Sequence, residues 1–543
     1  MSKQTKFLSI AIGLLQGMEE YKHDAVVNSM TAERLYEALK RHGLEDEPCE
    51  PIENKALGRM LITVLDENKK GTPCQVKFFK LLEGEGFDDF DRVNGKITMS
   101  RYTTYYNGRL TADLEIGRYV VEISKGSEYE IITDHVDVTA SAVICRDYEL
   151  KRFIDLGALG WHAGDLHHHS VYSSPVWKGD DLVVESASDV ALSMMAMGLT
   201  YGCLSDHHNV FNHDAWRKTQ AKDFCPIVSK EISTSNGHVM SMGVEKDVIY
   251  AIPDDEHRTD EYLRGEFRRI VQEIKSEKGL AQLNHPRDLQ RSISWNPDFY
   301  DMIDIFETLE IWNGSNPMEK GTTNDKALKL WESLLGRGRY IPATAGSDCH
   351  NTKADDYNVL FDEKVCLYQS LRDADYKEVE DDEELYCFRL IMEKVINLLE
   401  KWAETDLTSG GVRTYVHLDN DLDPENVMDA LRHGCSFLTD GPILFFKILG
   451  AFPGSRIKIH SNEAELEITL LSNRPVKTLE IHSDKGAPVI YDLQEETLTM
   501  SDGRFYDHSC RLNMDVADIN WIYLIARDDC TNMAITNPIF LDK

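Results

Sequence analysis

Three consecutive histidines stand in the stretch Gly164-Asp165-Leu166-His167-His168-His169-Ser170, just after an apolar run. Side chains alternate between the two faces of an extended chain, so His167 and His169 point to one side and His168 to the other. Two imidazoles on the same side of a strand end can share a metal ion. Taken alone, such a pair is more often packed or exposed than metal-binding.

Further polar clusters follow later apolar segments, at the places where strands are predicted to end. They are Ser205-Asp206-His207-His208-Asn209, Ser229-Lys230-Glu231 with Gly237-His238, Leu283-Asn284-His285-Pro286, Leu309-Glu310-Ile311-Trp312-Asn313 and Ser347-Asp348-Cys349-His350. In α/β proteins the carboxyl ends of strands assemble binding and catalytic sites. Burying so many polar groups without partners would cost kilocalories each, so packing alone does not explain them. The clusters therefore indicate a metal centre with imidazole and carboxylate ligands.

The elements that must position these clusters alternate between strands and helices over residues 160–440. Apolar residues at helical spacing predict a helix from Tyr262 to Lys275, followed by a strand over residues 279–284. A second helix, from Ala327 to Leu335, precedes a strand from Tyr340 to Ala345. Repeated units of this kind predict an α/β fold with a parallel sheet, either a barrel or a doubly wound sheet.

Three further segments flank this alternating region. Residues 1–55 are predicted to be helical, with an N-cap-like Thr31 before apolar residues at helical spacing. Short alternating runs separated by turns predict a small β-sandwich over residues 56–150 and a second one over residues 441–543. The metal-binding clusters therefore fall within one segment, residues 160–440.

The order and wording of the motifs resemble the PHP superfamily, the polymerase and histidinol-phosphatase domains, and are most similar to its CehA/McbA-like metallohydrolase branch. The resemblance covers about residues 160–445, from the Gly-Asp-Leu-His-His-His-Ser motif to Gly-Ser-Asp-Cys-His and the trailing Gly-Cys-Ser-Phe-Leu-Thr-Asp-Gly-Pro at 434–442. It implies an α/β fold with a distorted (β/α)7 barrel, flanked by N-terminal and C-terminal β-sandwich domains. It also implies two or three divalent metal ions at the carboxyl ends of the strands.

The resemblance further implies which residues hold these ions. A first metal would be held by His167, His169, Glu231 and Asp348. A second metal, bridged by Glu231, would be held by His285 together with His238. A third metal would be held by His207 and His350. Nitrogen and oxygen ligands without thiolate suit zinc, manganese or iron.

The chain departs from the family's pattern just after the first motif. The family commonly has Ser-Asp-Gly there, whereas this chain has Ser173-Ser174-Pro175 and then an insertion from Val176 to Asp181. A ligand for the third metal is therefore missing where Ser174 stands. A two-metal centre and a three-metal centre are equal expectations.

Four more residues are candidates for catalysis. Asp206 is either a ligand or an acceptor that orients a ligand histidine, and His208 is a candidate proton donor to the leaving group. Lys230 and Arg287 lie beside presumed ligands, where their charges could neutralise a substrate phosphate. Ordinary structural or surface roles remain open for His208, Lys230 and Arg287, and Trp312 either lines the pocket or packs in the core.

The composition limits the partners and the compartment. The 543 residues carry 59 Lys and Arg against 93 Asp and Glu, a net charge of −34, which repels nucleic acids and anionic membranes. Eleven cysteines without any Cys-x-x-Cys favour a reducing, cytoplasmic location. Glu19-Glu20 after the apolar run from Phe7 to Leu15 favour an amphipathic helix over a signal peptide. We expect a small, anionic substrate rather than a nucleic acid or membrane partner.

Three functions fit these observations. The main hypothesis is a metal-dependent phosphoesterase that hydrolyses a small phosphomonoester or phosphodiester with a metal-bound hydroxide as nucleophile. The second is hydrolysis of a carbamate, amide or carboxylic ester by the same centre. The third is a carbohydrate- or protein-binding module with a vestigial metal site, against which the intact set of candidate ligands argues.

Overall fold

The structure is a computed structural model. It describes residues 12, 15–16, 24–41, 57–81, 98–174, 177–179, 183, 185–250, 259–288, 293–314, 316–317, 323–350, 383–391, 409–493, 499–501 and 505–543. Much of the predicted N-terminal helical segment and part of the insertion after Ser174 lie outside these residues. None of the described helices is long and apolar enough to span a membrane.

The N-terminal part forms two β-sheets around one hydrophobic core. Its strands are β1 (Leu57–Leu65), β2 (Gln75–Lys80), β3 (Thr98–Thr103), β4 (Arg109–Glu115), β5 (Gly117–Ser124), β6 (Ile132–Val138) and β7 (Val143–Glu149). One sheet has the order β4-β1-β7, with β1 parallel to β7, and the other has the antiparallel order β3-β2-β5-β6. Alternate residues of β1, including Met60 and Ile62, are buried in the shared core because successive side chains of a strand face opposite ways.

The central part combines strands with helices. Its strands are β8 (Trp161–Asp165), β9 (Tyr201–Leu204), β10 (Cys225–Ile232), β11 (Val239–Met242), β12 (Leu280–Leu283), β13 (Thr308–Asn313), β14 (Ala343–Gly346), β15 (Arg413–His417) and β16 (Ser436–Thr439). The α-helices described along the chain are α1 (Ala25–Ser29), α2 (Ala32–Arg41), α3 (Ala187–Ala196), α4 (His213–Arg217), α5 (Asp260–Ser276), α6 (Asn324–Gly336), α7 (Glu383–Leu390) and α8 (Pro424–His433). Short 3₁₀ helices occupy Gly157–Leu159, Val171–Ser173 and Pro297–Ile305.

Pairing within the central sheet gives most of these strands one direction. β8, β9 and β10 run parallel, as do β12, β13 and β14, while β11 lies antiparallel between β10 and β12. The carboxyl ends of the parallel strands and the amino end of β11 therefore meet at one edge. The mixed α/β class predicted from the sequence is confirmed, with many strands in sheets and fewer helices.

The central sheet continues into the C-terminal strands. These are β17 (Ile443–Ile448), β18 (Arg456–Lys458), β19 (Glu463–Ser472), β20 (Val476–Ser483), β21 (Val489–Asp492), β22 (Thr499–Ser501), β23 (Phe505–Asp515), β24 (Trp521–Asp528), β25 (Met533–Thr536) and β26 (Ile539–Asp542). β8 pairs with β15, β15 with β16, and β16 with β25, all antiparallel. A second sheet, β17-β19-β23-β22, packs on β20 and β24 across another core. The predicted domain boundary at residue 441 thus falls within a continuous sheet.

Apolar periodicity explains the helices that cover the sheet. α5 begins after Thr259, whose hydroxyl oxygen accepts the backbone N–H of Tyr262. Its buried face, which includes Phe267 and Ile270, packs in the same core as strand residues of β12 and β13. The predicted helix from Tyr262 to Lys275 lies within α5, and the predicted helix from Ala327 to Leu335 lies within α6.

Candidate metal centre

The candidate ligands lie together at the edge where the strand ends meet. His167 and His169 follow β8, His207 follows β9, Glu231 lies near the end of β10, and His238 immediately precedes β11. His285 follows β12, and Asp348 and His350 follow β14. Four overlapping groups of three residues place their potential ligand atoms within 4.8 Å of one another. These groups are His169/His207/His350, His167/His169/Asp348, His167/His285/Glu310 and Glu231/His238/His285.

Glu231 is the carboxylate that contacts most of these histidines. Its Oε1 lies 3.1 Å from both His238 Nδ1 and His285 Nε2, and it accepts a hydrogen bond from Asn284 Nδ2 at 2.8 Å. Its Oε2 lies 3.2 Å from His167 Nε2 and 3.5 Å from His169 Nε2. His207 Nδ1 also lies 3.5 Å from Oε2, so a side chain that is 1% exposed meets five imidazoles and has the geometry of a bridging ligand.

Asp348 closes the other side of the cluster. Its Oδ1 lies 3.0 Å from His169 Nε2 and 3.3 Å from His167 Nε2. Its Oδ2 accepts the amide N–H of Asn313 at 3.1 Å. The rings of His207 and His350 stack on His169, with centroids 4.5 Å and 4.2 Å away.

Hydrogen-bond partners fix which nitrogen of each imidazole is available. His167 Nδ1 donates to Glu310 Oε1 at 3.1 Å, and His350 Nδ1 donates to the Asp348 carbonyl at 2.8 Å. Ser173 gives its hydroxyl proton to Asp206, so its oxygen accepts from His169 Nδ1 at 3.0 Å. With Nδ1 engaged in this way, Nε2 of His167 and of His169 faces the carboxylates of Glu231 and Asp348.

Two buried aspartates brace the strand ends without contacting the imidazole rings. Asp206 accepts from the backbone and hydroxyl of Ser170, from Ser173 and from Asn212 Nδ2, at 2.6–2.7 Å. Asp165 accepts from the backbone of His167 and from Ser347 and Gly410. Asp206 therefore reaches His169 only through Ser173, and Asp165 binds the loops that carry ligands.

The electrostatics keep both central carboxylates ionised. Burial alone would raise the pKa of Glu231 and of Asp348, but the surrounding histidines hold each pKa well below its usual value. Burial, together with His350 and His207, lowers the pKa of His169 to about 3. Against the effect of burial, Asp348, Glu231 and Glu310 raise the pKa of His167 well above its usual value, and Glu231 also raises the pKa of His285. The centre thus combines ionised carboxylates with imidazoles whose pKa values are shifted in opposite directions.

The donor set fits divalent metal ions. The Nε2 atoms of His167 and His169 lie 3.0–3.3 Å from carboxylate oxygens, so these groups could hold a metal ion between them. The buried Nδ1 of His285 has no hydrogen-bond partner among the described residues. Imidazole and carboxylate without thiolate match zinc, manganese or iron.

Unusual backbone conformations occur at three positions of the cluster. His208, His285 and Asp348 have φ angles of 62°, 21° and 51°, in a region that residues other than glycine seldom adopt. The backbone N–H of each is hydrogen-bonded, to Glu231 O, Glu310 Oε2 and His167 O respectively. Strain held in place by such bonds is typical of functional sites.

The four candidate catalytic residues are placed differently. Asp206 is the acceptor described above, and His208 is exposed, with its ring 5.9 Å from that of His207. The Lys230 ammonium does not join the cluster, because neighbouring residues on β10 face opposite ways, and it pairs with Asp247 at 2.5 Å. Arg287 follows His285 and donates to the Tyr300 hydroxyl.

Two other residues turn away from the ligands. Trp312 is fully buried in the hydrophobic core. His168 faces away from His167 and His169, as strand alternation predicts, but it is buried and bonds Ser409 Oγ at 2.8 Å.

Sequence reasoning assigned no role to several residues that contact the candidate ligands. Glu310 and Asn284 stand in the polar clusters named from the sequence, but without a role. Glu310 holds His167 and the backbone of His285, and Asn284 donates to Glu231. Ser173 and Ser233, which contact His169 and His207, stand outside those clusters. Serine is common in loops, so its residue type indicated no such role.

No protein-family model matches the chain. No curated protein sequence matches it either. An amidohydrolase from Chromobacterium violaceum aligns with 16% identity and a TM-score of 0.23 over 34% of this chain and 87% of that chain. The Bacillus anthracis TIE protein aligns with 16% identity and a TM-score of 0.14 over 21% of this chain and 20% of its own length. A 3-chlorocatechol 1,2-dioxygenase from Rhodococcus opacus aligns with 10% identity and a TM-score of 0.15 over 19% of this chain and 62% of that chain. The match to the TIE protein thus spans about a fifth of that protein's length.

Proposed function

We propose that the chain is a metal-dependent phosphoesterase of the PHP type, similar to the CehA/McbA-like branch, with a small anionic phosphomonoester or phosphodiester as substrate. The observation that carries the proposal is the convergence of the motif residues, from separate strand ends, around Glu231 and Asp348. We extend the proposal to a cytoplasmic location, which the free cysteine thiols of the described residues favour.

The proposal includes a closed (β/α)7 barrel for the central part. The segments after β8 and β14 support it, because Asp348 N donates to His167 O at 2.8 Å and His169 N donates to Cys349 O at 3.1 Å. Thr414 Oγ1 on β15 also bonds both backbone groups of Ala345 on β14. These contacts draw the first and last strands of the parallel set together.

The residues present would divide the work of hydrolysis. Divalent metals held by His167, His169, His238, His285, Glu231 and Asp348, with His207 and His350 at a third position, would lower the pKa of bound water and stabilise charge on a phosphoester. Arg287, two residues after His285, would contact a phosphate oxygen through its guanidinium group. Lys230 would not, since its ammonium pairs with Asp247 on the other face of β10. His208, the exposed histidine of the set, would give its ring proton to the leaving oxygen.

The test combines metal analysis with a substrate panel. Protein purified without chelators should contain more than one transition-metal ion per chain and should hydrolyse 4-nitrophenyl phosphate or bis(4-nitrophenyl) phosphate faster than 4-nitrophenyl acetate. His169→Ala and Asp348→Ala should each lower turnover at least about 100-fold, because each removes a ligand. His433→Ala is the matched control, since this histidine is exposed on α8.

Three outcomes would contradict the proposal. Turnover of the carboxylic ester alone would favour the ester and amide hydrolase hypothesis. Well-folded protein with far less than one metal per chain would favour a binding module. Unchanged turnover in both ligand variants would mean that catalysis occurs elsewhere.

A further inference from the structure

A chain of buried amide and hydroxyl side chains leads away from Glu231. Asn284 Nδ2 donates to Glu231 Oε1 at 2.8 Å, and Gln282 Nε2 donates to Asn284 Oδ1 at 3.0 Å. Gln282 Oε1 accepts the hydroxyl protons of Thr308 at 3.2 Å and of Thr344 at 2.7 Å. We call the side chains of Asn284, Gln282, Thr308 and Thr344 the amide relay. All four are completely buried.

The pairing of strands brings the relay together. Gln282 and Asn284 are two residues apart in extended chain, so their side chains share one face. Ala281 and Leu283 point to the opposite face, where they pack in the hydrophobic core. Gln282 lies directly opposite Thr308 in the parallel pair of β12 and β13. An amide buried at this place costs free energy unless its polar atoms are paired, and the relay pairs them.

Glu231 fixes the direction in which each amide of the relay points. An ionised carboxylate can only accept hydrogen bonds, so the NH₂ end of Asn284 faces it. The carbonyl end of Asn284 then faces Gln282, which must present its own NH₂ end. The carbonyl end of Gln282 is left for the hydroxyl protons of Thr308 and Thr344. The whole relay is therefore polarised toward Glu231, and each hydrogen bond strengthens the next.

The relay ends on one particular oxygen of Glu231. This oxygen, Oε1, also lies 3.1 Å from His238 Nδ1 and from His285 Nε2, whereas Oε2 faces His167. Two of the groups that could hold a metal ion are thus distinguished by their contact with the relay. They are the His238 position, made of Glu231, His238 and His285, and the Asp348 position, made of His167, His169 and Asp348. The relay acts directly on the His238 position.

We propose that Gln282 is a positioning residue, which holds Oε1 of Glu231 in place through Asn284 and thereby sets the metal affinity of the His238 position. This inference rests on the metal centre of the proposed phosphoesterase and concerns one position within it. Its physical basis is that a donor which orients a ligating carboxylate raises metal affinity without contacting the metal. Without Gln282, the Asn284 amide can rotate, and Glu231 loses a donor of fixed direction.

The experiment measures Mn²⁺ binding to the full-length chain by electron paramagnetic resonance, which quantifies the unbound ion. Gln282→Met removes the amide but keeps the length of the side chain. It is introduced into two backgrounds, Asp348→Ala and His238→Ala, each of which lacks a ligand of one position. Both backgrounds also carry His350→Ala, which removes a ligand of the group formed by His169, His207 and His350.

The two backgrounds should respond differently. With Asp348→Ala, Gln282→Met should weaken binding of the tightest Mn²⁺ by about 10- to 100-fold, because the remaining ion depends on Glu231 Oε1. With His238→Ala, the same change should leave binding of the tightest Mn²⁺ as it was, since that ion is held at the Asp348 position. A general loss of folding would weaken both alike.

Thr344 provides a conservative pair of variants. Thr344→Val keeps the volume but removes a hydroxyl donor, so it should weaken Mn²⁺ binding in the same direction as Gln282→Met. Thr344→Ser keeps the hydroxyl and should bind Mn²⁺ like the wild type. Thr536→Val is the matched control, because Thr536 is a buried threonine of β25 whose hydroxyl oxygen accepts from Leu524 N at 3.0 Å. It should lower the free energy of unfolding and leave Mn²⁺ binding unchanged.

Three results would overturn the proposal. They are unchanged Mn²⁺ binding in Gln282→Met, equal losses in the two backgrounds, and equal losses in Thr344→Val and Thr344→Ser. If Gln282→Met does not fold, the comparison of Thr344→Val with Thr344→Ser decides alone.

The relay proposal and the phosphoesterase proposal can fail separately. If phosphoesters are hydrolysed and Gln282→Met binds Mn²⁺ like its background, the relay proposal fails and the phosphoesterase proposal stands. If no phosphoester is hydrolysed but the loss is confined to the His238 position, the relay proposal stands and the phosphoesterase proposal fails. A wild type that binds no Mn²⁺ would overturn both.

Discussion

At the scale of single residues, Ser173 is the small side chain on which much of the centre's order depends. Its hydroxyl donates to Asp206 at 2.7 Å, and its oxygen accepts from His169 Nδ1 at 3.0 Å and from the backbone of His207 at 3.2 Å. It therefore fixes the tautomer of one candidate ligand and the position of another. Groups that orient ligands in this way tune metal affinity without touching the metal.

Ser173→Ala is expected to weaken metal binding by roughly 10- to 100-fold, because His169 loses the partner that directs its Nε2 toward the cluster. Competition with a fluorescent chelator measures the change. Ser174→Ala is the control, since that hydroxyl donates only to the carbonyl of Val171 in the described part of the chain. Equal losses in both variants would show that the effect reflects the loop's folding and not the orientation of His169.

Residue types and their positions at strand ends were sufficient to nominate the histidines and carboxylates now seen around Glu231. The direction of Lys230 was also predictable, because a residue next to an inward-facing Glu231 must face outward on a strand. The role of Ser173 was not predictable, since it depends on where Asp206 and His169 meet in space. The residue types of the candidate ligands could thus be predicted from the sequence, whereas the side chains that orient them could not.

At the scale of elements, the junction of β16 and β25 contains a buried carboxyl group. Asp440 directly follows β16, and its carboxylate accepts from Met533 N at 2.6 Å and from Asn316 Nδ2 at 2.8 Å. Burial raises the pKa of Asp440 from its ordinary 3.8 to about 7. At pH values between these two, the folded chain therefore keeps a proton on Asp440 that the unfolded chain has released.

This difference predicts how stability changes with pH. Between about pH 4 and pH 7 the folded state binds more protons at Asp440 than the unfolded state does, so its contribution to stability decreases as pH rises through this window. The free energy of unfolding should decrease less between pH 5 and pH 8 in Asp440→Asn than in the wild type. Urea unfolding at several pH values measures the difference.

The exposed Asp304→Asn variant provides the control and should keep the wild-type dependence on pH, because Asp304 pairs with Arg339 at the surface. Parallel stability curves for the wild type and Asp440→Asn would show that this carboxyl group does not titrate in the window.

Elements with strong local patterns were predictable, and long-range pairings were not. α5 and α6 lie where apolar spacing placed them, because that spacing is a local property of the chain. The pairing of Phe437 in β16 with Thr536 in β25 joins segments far apart in the sequence. No local pattern specifies such a partner, so the continuation of the sheet from β16 to β25 could not be predicted from the sequence.

At the scale of the whole molecule, the central part shares one of its hydrophobic cores with the C-terminal strands. Trp521, Tyr523 and Ile525 of β24 belong to the same buried cluster as Leu309 of β13 and Trp331 of α6. By contrast, β1–β7 enclose a hydrophobic core of their own. The C-terminal strands therefore share buried residues with the central part, whereas β1–β7 have a separate core.

Truncation at the two predicted boundaries should have unequal effects. A chain ending at residue 440 should be insoluble or lack cooperative thermal unfolding, because it loses β25 and apolar residues of the shared core. A chain starting at residue 150 should unfold cooperatively and retain metal. Circular dichroism, size-exclusion chromatography and metal analysis compare the two, and a stable, cooperative 1–440 fragment would contradict the shared core.

The β8-β15-β16-β25 ladder also sets the order of events during synthesis. His167 and His169 emerge from the ribosome early, but the strand before them pairs with β15, which pairs with β16, and β16 pairs with residues 533–536. Contacts between distant segments form only once both have been made. The proposed metal centre would therefore be completed only after translation has passed the C-terminal strands.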